Sequence, residues 1–317
     1  MVITNVILPV FFIIFLGFLL GRLGKLDVKA ISRVQLYALS PALIFVAMAR
    51  AEAGTAMILR VLLYVALMEA VILILVQGIG FLMRRDREER NAMSLASVFM
   101  NAGFYGIPVC LLAFGELGLV YATTFVVAAS IIQSTVGIYI ASAGRRRPTE
   151  ALAHVFKVPL VYALVLGRVL ASLDALPPEP FMKMIGLLGQ AAIPVGLILL
   201  GLQLERIVRR PVERPAAEQP GGLGGTAGIR RDIAGALISA VLRILGGFTV
   251  ALMLIRLFDF EPVLRNVIIV ESAMPTAVNV VVYATEFGCR PKLVALGILF
   301  ATVASILSIT LILNYLT

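Results

Sequence analysis

Hydrophobic runs long enough to cross a lipid bilayer recur along almost the whole chain, and they leave few folds open. Residues 1–21 carry no charge, residues 61–83 carry only Glu69, and residues 293–317 carry none. A spanning helix needs about 20 apolar residues, so this length has room for about ten spans joined by short connections. The chain is 61% hydrophobic and 14% charged, with a mean hydropathy of +1.03, far from the balance of a soluble domain. An all-α membrane protein is therefore expected. Its spans are predicted near 5–22, 31–50, 57–83, 91–114, 118–142, 155–173, 181–204, 233–258, 262–285 and 291–316. The first charge is Arg22 and no basic stretch precedes it, which predicts a retained first span rather than a cleaved leader.

The net charge of +9 sits between the apolar runs, so it is read as a topology signal and not as a nucleic-acid surface. Twenty Lys and Arg residues fall in the connections after odd-numbered spans, against six in the others. The positive-inside rule then places both termini outside the cytoplasm of a plasma or bacterial inner membrane. Five spans per half is an odd number, so the second half must enter the bilayer in the opposite sense. Prolines mark the duplication: Pro9, Pro41 and Pro108 are followed in the same order by Pro159, Pro194 and Pro275. The expected organisation is a first repeat over 1–143, the start of a second over 144–204, a linker over 205–231, and the rest over 232–317. The linker is rich in proline and glycine, which cannot build a core.

Two proline-bearing stretches interrupt the fourth and ninth spans, Asn101 to Val109 and Glu271 to Asn279. Proline removes a helical hydrogen bond, and in lipid the freed carbonyl needs protein or a water-filled cavity around it. A symmetric pair of such breaks points to a transporter's binding site. In the fourth span, helix is expected to about Gly103, with a break through Gly106, Ile107 and Pro108. In the ninth, Pro275 and Thr276 mark the break and Asn279 lies a turn beyond. Half-helix N-termini facing a shared cavity would seat a carboxylate. The candidate binding residues are Asn101, Gly103, Tyr105, Pro108, Pro275, Thr276 and Asn279. The competing reading is that both prolines only kink packed helices, with Tyr105 and Tyr283 as packing residues.

Charged groups inside spans are costly and normally face a cavity or a partner. Glu271, beside the second break, is a candidate for proton or cation coupling, as are Glu69 and Gln133; Glu69 could instead pair with Arg243. Gln190 and Ser134 are secondary cavity candidates. Enzyme constellations are missing from the sequence: there is a single histidine, His154, and no G-x-S-x-G or phosphate-loop motif. Cys110 and Cys289 have no metal-ligand spacing and read as apolar fillers. No cofactor is expected beyond a coupling ion, sodium or protons.

At N-A-G-F-Y-G-I-P, ending at Pro108, and M-P-T-A-V-N-V-V-V-Y-A-T-E-F-G, from Met274 to Gly288, the chain resembles the auxin efflux carrier family. The resemblance implies a fold like that of sodium/proton antiporters and bile-acid symporters, with a panel domain and a core domain whose broken helices cross. It implies alternating access carrying a small organic anion such as malonate, malate or an indole carboxylate. It carries Asn101, Pro108 and Pro275 over as substrate-site elements, and Asn279 less directly; Glu271 belongs to no family pattern. A homodimer through panel helices is an expected arrangement in the bilayer. The alternatives are a same-fold transporter of a non-carboxylate solute and a transporter-like membrane sensor.

Overall fold

The computed structural model describes residues 3–24, 26–50, 55–142, 159–209 and 226–316. Every regular element among them is helical. The first half contains α1 (Leu8–Leu23), α2 (Val28–Arg50), α3 (Thr55–Leu82), α4 (Arg87–Val98), α5 (102–114) and α6 (116–141). The second contains α7 (Pro159–Ser172), α8 (Glu179–Arg209), α9 (Gly228–Leu257), α10 (Pro262–Ser272), α11 (Val280–Glu286) and α12 (Pro291–Leu316). Helix starts follow local chemistry. Asp27 accepts the amides of Lys29 and Ala30, Asp86 that of Glu89, and Glu261 that of Leu264, with Pro262 opening α10.

Seven helices among the described residues are long and apolar enough to cross a membrane. The predicted fourth, sixth and ninth spans are not among them as single helices: the fourth and ninth are each cut into two short pieces, and the sixth is described only over Pro159–Ser172, its residues 155–158 lying outside the described residues. The fifth is fused in sequence to the second piece of the fourth. They part at Gly115, whose φ of +68° is a backbone conformation that only glycine adopts cheaply.

At three prolines helical continuity survives by widening. Three π turns each begin six residues before a proline: Ile3–Ile7 before Pro9, Gln35–Leu39 before Pro41, and Ala102–Gly106 before Pro108. The proline ring crowds the preceding turn and offers no N–H, so the helix opens to i→i+5 bonding just ahead of it.

Two groups of helices pack separately. In one, α1 lies along α8, α8 along α2, and α2 along α7. In the other, α3, α4, α5, α6 and α9 to α12 surround the two interrupted spans. Small residues set the closest approach in the first group. A Cβ on Gly17 would run into the Ile198 carbonyl, and one on Gly201 into the backbone of Ile14 and Phe18. At one end of the second group a charge cluster ties three elements together. Glu89, fully buried at the start of α4, accepts from Arg85 and from Arg231 of α9. Arg290, ahead of α12, reaches Asp86 at 3.4 Å and Asp232 at 3.1 Å.

The predicted linker, 205–231, lies only partly within the described residues. Residues 205–209 complete α8 and residues 226–231 are helical, while 210–225 lie outside the described residues. Glu205 is buried and Arg206 and Arg209 occupy the last turn of α8, where basic side chains suit the helix dipole. His154 also lies outside the described residues.

Replacing Gly201 with leucine should cost roughly 1–3 kcal/mol by overpacking. Thermal unfolding in detergent, followed by a thiol-reactive dye on the buried Cys110 and Cys289, should show a lower melting temperature for Gly201→Leu.

Candidate functional site

The first interrupted span stops at Val98, after which Phe99 turns extended (φ −93°, ψ 121°). The second stops at Ser272 and resumes at Val280. The two non-helical segments run antiparallel and bond each other through a bridge between Met100 and Thr276. Asn101 N–H donates to the Pro275 carbonyl at 2.7 Å, and Ala277 N–H to the Phe99 carbonyl at 2.9 Å. Each break thereby supplies the backbone partners that the other lacks, which is what an apolar surrounding demands.

The carbonyl ends of α4 and α10 meet a shared cation. The Arg243 guanidinium, buried in a π turn of α9, donates to the carbonyls of Ser97 (3.0 Å), Val98 (2.6 Å) and Ser272. Thr276 Oγ1 donates to the Ala96 carbonyl at 2.6 Å. At the opposite polarity, Asn101 caps the resumed helix, its Oδ1 accepting from Phe104 N–H at 3.3 Å. Asn279 holds the equivalent cap position ahead of α11 with no side-chain bond to that helix.

A cavity of about 100 Å³ lies beside these caps, bordered by Asn101, Gly103, Gln133 and Asn279. Gln35 and Ser40 of α2 close it from the other helix group. It shares Leu43 and Ile193 with a larger cavity of about 1090 Å³, whose wall carries the exposed side chains of Arg50, Glu116, Lys183, Gln190 and Glu261. The structure thus gathers four of the predicted residues around one space.

Others lie elsewhere. Tyr105 is fully buried with its ring edge-on to Phe11 and its hydroxyl 3.4 Å from Ser305 Oγ. Pro108 sits in the first turn of the helix that follows the π turn, and Pro275 and Thr276 serve the backbone pairing; none of the three borders the cavity. The helix interruption is at residues 99–101, not at 106–108 as the proline suggested. Pro108 lies a turn and a half into α5, where the π turn ahead of it accommodates the missing N–H, so it widens the new helix instead of ending the old one.

Neither of the buried carboxylates Glu69 and Glu271 borders the small cavity. Arg243 spends its bonds on backbone carbonyls, and neither oxygen of Glu69 has a hydrogen-bond partner, so the two do not form a bonded pair. Glu271 is fully buried against Gly106, where no side chain would fit. It receives the Cys110 thiol at 3.6 Å on Oε1 and nothing on Oε2. Sequence reasoning missed Gln35 and the capping task of Arg243. The first reads in the sequence as an ordinary amide within an apolar span, and its unused oxygen emerges only from the geometry. The second depends on carbonyls from helices far apart in sequence and had no signal.

A family profile described as "Membrane transport protein" matches residues 2–150 and 145–313. The chain belongs to that family. This is the auxin efflux carrier resemblance met again, now with a two-repeat, all-helical, multi-pass architecture and a transporter rather than an enzyme. It is similar to an "Uncharacterized transporter" of Methanothermobacter thermautotrophicus, 25% identical over 315 residues, 97% of this chain and 96% of that one. A "Putative malonate transporter" of Rhizobium meliloti is 26% identical over 319 residues, 97% of this chain and 94% of the relative.

Replacing Arg243 with methionine strips a charged donor from three buried carbonyls, at roughly 1–3 kcal/mol each. Arg243→Met should melt well below the unmodified protein in the same thiol-dye assay, and Arg243→Lys should recover only part, since an ammonium cannot reproduce the planar fork. Equal melting temperatures for Arg243→Met and the parent would remove the capping role.

Proposed function

We propose that this chain is a secondary transporter moving a small organic anion, a mono- or dicarboxylate, across the plasma or bacterial inner membrane by alternating access. Asn101 carries the reading. It is 5% exposed, its Oδ1 is held by a backbone amide, and its Nδ2 is a buried donor with no partner beside the cavity. Such a donor at a helix start, where unpaired amides contribute roughly half a positive charge, suits a carboxylate. Pockets for drug-sized ligands run to roughly 300–1,000 Å³. A cavity of about 100 Å³ favours a malonate- or malate-sized anion over an auxin-like indole carboxylate. The name of the Rhizobium relative points the same way.

In this reading there are ten spans in two inverted five-helix repeats, with α4–α5 and α10–α11 as the broken spans that cross at mid-membrane. The group α1, α2, α7 and α8 is the panel, the remainder is the core, and a dimer would form through the panel. Both termini lie outside, and the larger cavity is an outward-facing vestibule. Glu271, Glu69 and Gln133 are the groups placed to take up a coupling proton or sodium ion. One observation favours a second reading: among the described residues bordering the small cavity there is no Lys or Arg. An uncharged solute carried by the same fold fits that wall as well.

Malonate at millimolar concentration should raise the melting temperature of the purified protein, as expected for a ligand that binds the native state alone. Asn101→Ala should abolish that shift and malonate uptake into vesicles while its own melting temperature stays near that of the parent. If neither mono- nor dicarboxylates move the melting temperature, the anion reading is excluded and the uncharged solute takes its place. For coupling, Glu271→Gln should flatten the pH dependence of uptake; an unaltered rate and profile would remove Glu271 from that role.

A further inference from the structure

Two carboxamides border the small cavity from opposite helix groups, and the backbone fixes which way round each one lies. Gln35 Nε2 is 2.9 Å from the Ala192 carbonyl and 3.1 Å from Ser40 Oγ. A carbonyl can only accept, so the nitrogen of Gln35 must face it and Oε1 is the end left over. Asn101 is the mirror case: the Phe104 N–H can only donate, so Oδ1 must face it and Nδ2 is left over. Neither Gln35 Oε1 nor Asn101 Nδ2 has a partner, and both are sealed from solvent on residues that are 2% and 5% exposed. Two residues that border the space thus each keep one unused group among the described residues, an acceptor on Gln35 and a donor on Asn101. Buried polar groups are almost always paired in native proteins, so a matched pair of exceptions at one cavity calls for a ligand that completes both.

We infer that Gln35 is a specificity-determining residue, and that the preferred solute carries a hydrogen-bond donor, a hydroxyl, next to the carboxylate that Asn101 receives. This rests on the carboxylate reading of the same cavity. A hydroxycarboxylate offers a carboxylate oxygen to Asn101 Nδ2 and its hydroxyl hydrogen to Gln35 Oε1. The unsubstituted acid leaves Oε1 unpaired, or turned toward a second carboxylate oxygen, acceptor against acceptor. Sites built to bond a substrate hydroxyl discriminate strongly against the analogue that lacks it. Gln35 opens the π turn ahead of Pro41, and its anchor on Ala192 of α8 keeps the side chain from swinging to relieve the mismatch.

Binding of lactate against propionate, and of tartronate against malonate, to the full chain in detergent tests this directly. The unmodified protein should bind each hydroxy acid at least about tenfold more tightly than its partner, a factor that one hydrogen bond to a buried acceptor supplies. Gln35→Met should abolish the preference within each pair, whereas Asn101→Ala should weaken all four and keep the preference. Equal affinities within each pair in the unmodified protein would overturn the role of Gln35 while leaving the carboxylate reading intact, and this comparison needs no variant. A hydroxy preference that survives in a Gln35→Met protein with normal melting would overturn it too. Failure of all four acids to bind would instead remove the carboxylate reading, and this inference with it.

Discussion

A lone guanidinium holds the centre of this molecule together. Helices α4 and α10 both end inside the protein, and each C-terminus presents unpaired carbonyls with roughly half a negative charge. Two such ends sum to about one charge, and Arg243 supplies one charge together with a planar fork of donors. It reaches carbonyls of both helices at once, while the extended segments beyond them pair with each other. Remove it and two helix ends face each other without compensation in a medium that offers no water. The amide caps at Asn101 and Asn279 can sit next to an open cavity because the opposite ends are closed in this way.

The polarity that results is directional. Carbonyl ends are consumed internally, and amide starts are left on the far side of the paired segments. A solute entering the small cavity meets neutral amides and helix starts, with the charged vestibule wall further off around Arg50, Glu116, Lys183 and Glu261. In the proposed carboxylate reading, selection between similar acids would rest on hydrogen-bond geometry, with long-range charge guiding approach.

Much of this was legible in the residues. Apolar runs pointed to the helical membrane class and to the seven long apolar helices among the described residues, because such stretches are stable in a bilayer as helices. Asn101, Gly103 and Asn279 stood out as polar or small groups near breaks, and Gln133 as a polar group inside the fifth apolar run. The position of the first break did not. Its cause lies in Pro275, Thr276 and Ala277, some 175 residues away, whose backbone pairs with Phe99 and Asn101. A local rule assigns the interruption to the nearest proline, yet Pro108 is accommodated by a π turn. Gln35 escaped for a similar reason: an amide in an apolar span looks like ordinary interhelical glue until the geometry shows which half of it is unspent.

The glycine contact between α1 and α8 reaches beyond packing. Backbone touches backbone at Gly17 and Gly201, so neither rod can slide or roll on its neighbour without steric collision. The pair behaves as one stiff plank. Gln35 is pinned to α8 through Ala192 and travels with that plank, whereas Asn101 is stapled to the opposite block. Any rocking between plank and block must therefore change the gap between those two amides, so that the grip on a solute loosens or tightens in step with the motion itself.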